Sequence, residues 1–382
     1  MLENKKDKGS KHALTAVVLS FLTVVGVFFN GQKIGAVFSK AATVGAVICM
    51  PQGASELFSE KEKTTVNMNS NAFLSPESKT DADSVKTVLK NENTDTFVTP
   101  EDVEKMREEY NKKYPASSKD GKISELHYSS QNANVKYDNV FVKNTTSFDL
   151  DIKKELNKKA TLKIADKSKP SVLIFHTHTT ESYEMADNGW YTSDYATRSK
   201  NEDRNMVRVG DEIEKQLTAA GFSVIHDRTV HDLKYNGAYS RSRETVEKIL
   251  KENPTIQVVL DVHRDAIYQQ DGTRVKPVCE IDGRKCAQVM IITGCEDGDV
   301  EDFPRWNENL VFALNLQREA ENKFEGLMRP VMFCNRKYNM DVTPCSLLLE
   351  FGSDSNTLEE AMYSGFLLGK SLASLMEGYV EK

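Results

Sequence analysis

Residues 171–183 read SVLIFHTHTTESY. A short apolar run that passes directly into two histidines, several threonines and a glutamate suits a strand buried on both faces, with polar groups at its carboxyl end. The device recurs twice. IQVVLDV at 256–262 runs into His263, Arg264 and Asp265, and SLLL at 346–349 delivers Glu350 ahead of Phe351 and Gly352. Apolar runs at 222–225, 288–293 and 330–333 and an alternating stretch at 135–144 read as further strands. Helical patterns lie between them. NMVRVGDEIEKQLTAAG sets Met206, Val209, Ile213 and Leu217 three to four residues apart and ends at Gly221, a natural C-cap. YSRSRETVEKILKENP stops at Pro254, because proline cannot continue a helix, and 305–322 and 357–377 also read as helices. This alternation predicts an α/β domain with a mostly parallel central sheet and flanking helices.

The 382 residues exceed one ordinary small domain, and the apolar share, counted with Gly and without Tyr, is about 41% against roughly 45–50% in typical globular chains. Part of the chain is therefore expected to join no core. Lysines 5, 6, 8 and 11 precede an uncharged stretch at 13–29, which as a helix would just reach across a bilayer. The sequence thus predicts a cytoplasmic tail at 1–12 and an N-terminal transmembrane helix at 13–29, with the remainder on the far side by the positive-inside rule. A cleaved signal peptide is the competing reading. Residues 30–121 read as a polar, largely flexible linker, and the charged segment 101–114 within it as solvated and partly ordered. The catalytic domain is expected at 122–382. A formal charge of −7 excludes nucleic-acid binding through phosphate neutralisation. Six cysteines without a CxxC pair exclude a disulfide scaffold and a zinc knuckle, leaving buried thiols or a disulfide open.

In open α/β sheets, sites form at the carboxyl ends of the strands. That rule selects His176, His178 and Glu181, then His263, Arg264 and Asp265, then Glu350. Two histidines and a carboxylate suit zinc with one position left for water, and a further carboxylate suits proton transfer. Hydrogen-bonded structural histidines are the alternative. A carboxylate inside an apolar strand is harder to explain structurally, since burying it is costly unless it is paired or functional. Tyr239 and Ser240 sit at a helix start, where capping accounts for them.

VLIFHTHTTESY, the NMVRVGDEIEKQL helix, GFSVIHDRTVHD, YNGAYSRSRETVEKIL, VVLDVHRDA and SLLLEFGSDSN, in this order, resemble the stage II sporulation protein P family over 122–382. That family is similar to zinc-dependent N-acetylmuramoyl-L-alanine amidases. The resemblance implies a membrane-tethered peptidoglycan hydrolase acting between mother cell and forespore during engulfment, with stage II sporulation proteins D and M as partners. Laid on the amidase pattern, His178, Glu202 and His263 become the zinc ligands and Glu350 the catalytic proton acceptor. Glu202 is preferred to Glu181 by counting back from Gly221, and HTHT where amidases carry a glycine-rich turn leaves His176 unassigned. The implied reaction cuts the bond between the lactyl group of N-acetylmuramic acid and L-alanine, with stem-peptide cross-links left open as a second target. Arg264, Arg241 and Arg243 suit peptide carboxylates or saccharide oxygens, or serve as ordinary surface charge. The alternative function is a non-catalytic peptidoglycan-binding or scaffold module.

Overall fold

The computed structural model describes residues 95–381. In chain order its elements are helix α1 (Glu101–Lys113); strands β1 (Gly121–Leu126), β2 (Val135–Tyr137) and β3 (Val140–Asn144); helix α2 (Ile152–Leu156); strands β4 (Pro170–Phe175) and β5 (Trp190–Tyr191); helix α3 (Met206–Ala219), strand β6 (Ser223–His226) and helix α4 (Ala238–Glu252). Strands β7 (Val258–Asp265), β8 (Arg274–Ile281), β9 (Arg284–Ala287) and β10 (Val289–Gly294) follow, then helix α5 (Trp306–Lys323), strands β11 (Val331–Cys334) and β12 (Cys345–Ser353), and helix α6 (Leu358–Glu377).

The apolar runs of the sequence become the inner strands of an eight-stranded sheet ordered β2-β3-β11-β10-β12-β7-β4-β6. Every residue of β7, β10 and β12 is buried, as expected of strands covered on both faces. The sheet is mostly parallel, as expected, with antiparallel pairings at β10–β12 and β2–β3. β6, β4, β7 and β12 form one parallel block, and β10, β11 and β3 form another that runs antiparallel to β12. The stretch at 135–144 is a hairpin, not one strand, because Asp138 takes a left-handed turn (φ 55°) between β2 and β3. A second, four-stranded sheet, β5-β1-β8-β9, went unforeseen. Its inner strand β8 carries Lys276 and Pro277, and a proline ordinarily argues against a central strand.

Helix α3 ends as its sequence suggests. Gly221 (φ 87°) donates to Thr218 and Phe222 donates to Leu217, the paired bonds of a Schellman motif. Helices α3 and α6 then meet at close range. A Cβ on Gly365 would stand 2.8 Å from the Val209 carbonyl oxygen, and one on Gly369 would stand 2.9 Å from Gln216 Cβ, so no side chain fits at either position.

Residues 101–113, expected to be solvated linker, form α1 and dock on the domain. Val103 and Tyr110 are buried, the Tyr110 hydroxyl donates to Glu184 Oε2 at 2.9 Å, and Arg107 pairs with Glu359 at 2.7 Å. The helix forms because Glu101, Asp102 and Glu104 open it and Lys112 and Lys113 close it, in line with the helix dipole. It docks because its apolar side chains find a face to cover.

The stretches 1–12 and 13–29 lie outside the described residues. Among those described, no helix is long and apolar enough to cross a membrane, which corrects the single-pass membrane localisation expected from the sequence. Even α6, with 20 residues, carries Glu359, Glu360, Lys370 and Glu377 and is buried against the protein along most of its length.

Burial, with Asp354 adding, raises Glu184 to about 7, against a usual 4.5, while Tyr110 and Arg274 oppose the shift. Folding therefore takes up a proton in this window, and the stabilisation present below about pH 4.5 is lost as pH rises through about 7. Glu184→Gln removes the titration. The urea midpoint of the wild type relative to this variant is expected to fall between about pH 5 and about pH 8.

Candidate active site

Neighbouring parallel strands β4, β7 and β12 bring their carboxyl ends to one edge, with Phe175 level with Asp261 and His263 level with Glu350. Alternation along β7 puts Asp261, His263 and Asp265 on one face. The segment after β4 is pinned back onto the sheet edge. Glu181 donates its backbone N–H to the His178 carbonyl (3.0 Å), and its own carbonyl accepts from Met206 (2.9 Å). This fold-back carries the Glu181 side chain to His263.

The His178 and His263 rings lie 5.4 Å apart, nearly perpendicular at 82°. His263 Nδ1 faces Glu181 Oε2 at 3.4 Å, and its Nε2 lies 2.7 Å from Asp261 Oδ1, an ionic contact whose angle falls short of a hydrogen bond. Asp261 is itself fixed by the Thr177 backbone N–H (2.8 Å) and hydroxyl (2.6 Å). His178 Nδ1 is buried, makes no hydrogen bond, and stands 3.9 Å from Asp232 Oδ2. Glu350 is 1% exposed, and its Oε2 also makes no hydrogen bond. Past Glu350 the β12 register shifts, and Gly352 takes φ 64° where a Cβ would come within 2.3 Å of Asn356 Oδ1.

The charges follow from this packing. Burial alone would raise Glu181, but His263, Arg264 and His178 hold it well below the carboxylate range. Burial opposes protonation of His263, yet Asp261 and Glu181 raise it well above the usual value. Burial lowers His178 to about 4, helped by His263 and Arg198. Burial and then Asp265 push Glu350 well up, against the pull of His263. The edge thus holds one carboxylate, beside His263, whose surroundings favour the anion, and a second carboxyl group whose burial disfavours ionisation. Two histidines and a glutamate, with an unbonded buried nitrogen, are donor types that suit zinc, although among the described residues the ligand atoms that lie within 4.8 Å of one another are those of Asp211, Glu214 and His226.

Glu202 is not part of this group. It lies exposed on a single turn, 202–204, and pairs with Arg228 at 3.3 Å, so the carboxylate beside the histidines is Glu181. Counting back from the helix end failed because the loop from 184 to 205 closes on itself: Glu181 bridges to Arg198 and Ser182 to Asn205, bringing the turn near His178 to the helix start.

His176 is likewise committed elsewhere. Its Nδ1 can only donate to the Val262 carbonyl (2.9 Å), so its Nε2 accepts from His226 Nε2 (2.9 Å). His226 Nδ1 then faces Asp211 (3.3 Å) and Glu214 (3.2 Å), which raise it against burial and favour the imidazolium. Asp211, Glu214 and His226 have ligand atoms within 4.8 Å of one another, but Arg228 already lies against Asp211, so the cluster is balanced without a metal ion.

Neither Arg264 nor Arg241 is placed to bind substrate. Arg264, 4% exposed, donates to the carbonyls of Ser182 (2.8 Å), Thr197 (2.7 Å) and Asp265 (3.2 Å). Arg241 donates to the carbonyls of His231 (2.6 Å), Asn236 (3.2 Å) and Lys234. Both clamp loops around the site, and at Arg264 the reason is that buried carbonyls at turns need donors that the backbone cannot supply. Arg243 is an ion-pair residue, at 2.6 Å from Asp341 and 2.7 Å from Glu247.

Sequence reading missed three contributors. Asp261 was legible, since it stands two residues before His263 on the same strand face. Tyr239 was set aside as a helix-start residue, but its ring lies 5.7 Å from His178 and is nearly parallel to His263 at 6.4 Å. Tyr235 stacks on His178 at 4.7 Å, and no spacing in the sequence signals that contact.

A profile of the family described as Stage II sporulation protein P matches residues 59–373. The chain belongs to that family. Stage II sporulation protein P of Bacillus subtilis (strain 168) is 33% identical over 204 residues, which are 50% of this chain and 47% of that protein. The match thus spans about half the length of that curated relative. Among solved structures, the CwlD amidase from Clostridioides difficile in complex with the GerS lipoprotein shares 13% identity over 55% of this chain and 98% of its own, with a TM-score of 0.35. The N-acetylmuramyl-L-alanine amidase Ami1 from Mycobacterium smegmatis shares 10% over 56% of this chain and 100% of its own, with a TM-score of 0.32. Overlaps this loose add no argument about fold or chemistry.

In this stage II sporulation protein P family member, the arginine clamps give a direct test. Arg264→Ala leaves several buried carbonyls and Glu181 without their donor charge and is expected to cost on the order of 3 kcal/mol, read as a lower urea midpoint. Arg243→Ala, at a partly exposed ion pair, is expected to cost about 1 kcal/mol or less.

Proposed function

We propose that this chain is a zinc-dependent peptidoglycan hydrolase that cuts the amide between N-acetylmuramic acid and L-alanine. The observation that carries the reading is the buried group of His178, Glu181 and His263 beside the buried Glu350, whose Oε2 makes no hydrogen bond. A binding surface gains nothing from a buried carboxyl group with no partner, whereas a proton-transfer residue needs a free oxygen and a raised pKa. Family membership and the motif resemblance support the amidase class and a place in sporulation.

His178, Glu181 and His263 would hold the ion. When bound, zinc supplies Lewis-acid polarisation of the scissile carbonyl and acidifies the attacking water. The other steps belong to the chain. Asp261 fixes the tilt of His263 through Nε2 and leaves Nδ1 facing Glu181, the nitrogen that the neutral ring would offer the ion. The Tyr235 and Tyr239 rings flank the histidines and exclude bulk water. With the ion bound, its positive charge would offset the burial that disfavours ionisation of Glu350, and the Glu350 carboxylate would take a proton from the attacking water and return it to the departing amine of the stem peptide. Arg198, bridging Asp232 (2.8 Å) and Glu181 (3.4 Å), offsets the repulsion between the two carboxylates.

Purified protein incubated with sacculi and zinc, with muropeptides analysed by mass spectrometry, tests the reading. The expected product carries a free L-alanine amino terminus, and cross-link cleavage would yield distinguishable stem-peptide fragments. Glu350→Gln is expected to lower turnover by roughly 10²–10⁴-fold while zinc content is retained. His178→Ala, His263→Ala and Glu181→Gln are expected to lose zinc in elemental analysis, and Glu202→Gln to keep both zinc and activity. A zinc-loaded, folded wild type that releases no muropeptide would overturn the proposal in favour of a binding module.

A further inference from the structure

Away from the site, β8 and β9 form a hairpin around Asp282 and Gly283, both left-handed at φ 52° and 73°. Cys279 and Cys286 are directly opposed in it. Their sulfurs stand 2.9 Å apart, both residues are buried, and both are free thiols. Opposed antiparallel residues have Cα atoms roughly 4.5–5.5 Å apart, inside the roughly 4.4–6.8 Å that a disulfide spans. Cys295 and Cys345, also buried thiols, sit on other elements and have no such opposed partner in the strand register.

We propose that Cys279 and Cys286 are a reversible disulfide pair that locks the β8–β9 hairpin. The two thiols reduce one disulfide of an external oxidant of the glutathione or dithiol-oxidoreductase class. An S–S bond forms between the cysteines, the oxidant's S–S bond breaks, and both thiol protons leave with its two released thiols. The neighbouring Cys279 thiol, and then burial, push Cys286 up, so its thiolate is scarce and exchange is slow until the hairpin frays at its turn.

The lock bears on the scaffold behind β12. Ala287, next after Cys286, packs where a Cβ on Gly352 would come within 2.8 Å of it, and Gly352 follows Glu350 by two residues. Glu360 of α6 bonds Lys276 of β8 at 2.8 Å and Asn356 at 2.9 Å, and Asn356 in turn accepts from the Ser353 backbone (2.9 Å). Fixing the hairpin therefore fixes the back of the strand that presents Glu350.

The full chain held in glutathione redox buffers until its labelling no longer changes, then denatured, alkylated and digested with trypsin without reduction, tests the pair. Trypsin cuts after Arg284 and Lys285, between the two cysteines. In oxidised buffer, two fewer cysteines are expected to be labelled than in dithiothreitol, with the two flanking peptides joined as one species in which Cys295 carries the alkyl label. The thermal midpoint is expected to rise on oxidation and revert with dithiothreitol, and Cys279→Ser is expected to remove this response. Full labelling of both cysteines at the most oxidising poise, a glutathione adduct on either, or linkage to Cys295, Cys334 or Cys345 would overturn the proposal.

Discussion

The parallel pairing of β7 with β12 sets the position of everything at the site. It places His263 level with Glu350, and the pairing of β4 with β7 places the end of β4 beside Asp261. These strands are buried on both faces, so a slip of one residue would turn apolar side chains towards polar neighbours and carry His263 and Asp261 to the wrong face. Register in an apolar sheet is thus what fixes the spacing of polar groups at its edge.

That edge concentrates buried charge, which the protein tolerates only by compensating it closely. Glu181 is flanked by His263 and Arg198 and accepts from the Arg264 backbone at 3.2 Å. Asp265 is paired with Arg329 at 3.1 Å, both 1% exposed. The arginines whose forks suit a substrate carboxylate are spent on carbonyls instead, since a loop that crosses a buried edge leaves acceptors with no water to satisfy them. Within this network Glu350 Oε2 stands out as an acceptor that nothing compensates.

Much of the large sheet was legible because its signal is local. Buried strands read as apolar runs, and helix ends carry Gly221 and Pro254. The strand-end histidines and Glu350 were legible for the same reason. Glu181 over Glu202 was not, because the choice depends on a loop that returns on itself through bridges between residues distant in sequence. Nor was the small sheet, whose strand β8 carries a lysine that is 1% exposed only because Asp187 and Glu360 reach it from elsewhere in the chain. Helix α1 showed its dipole-suited charges, but its docking rests on Tyr110 meeting Glu184 and Tyr195, contacts that composition cannot reveal. What the sequence hides are the contacts made between segments.

The paired histidines after β4 have one further consequence. A turn that presents two imidazoles two residues apart would ordinarily offer both to a soft or nitrogen-seeking cation such as copper. By tying His176 to a backbone carbonyl and to His226, the fold withdraws one imidazole from that competition. In this way a hydrogen bond to His226, itself held by Asp211 and Glu214 of α3, leaves His178 as the imidazole of that turn facing the edge.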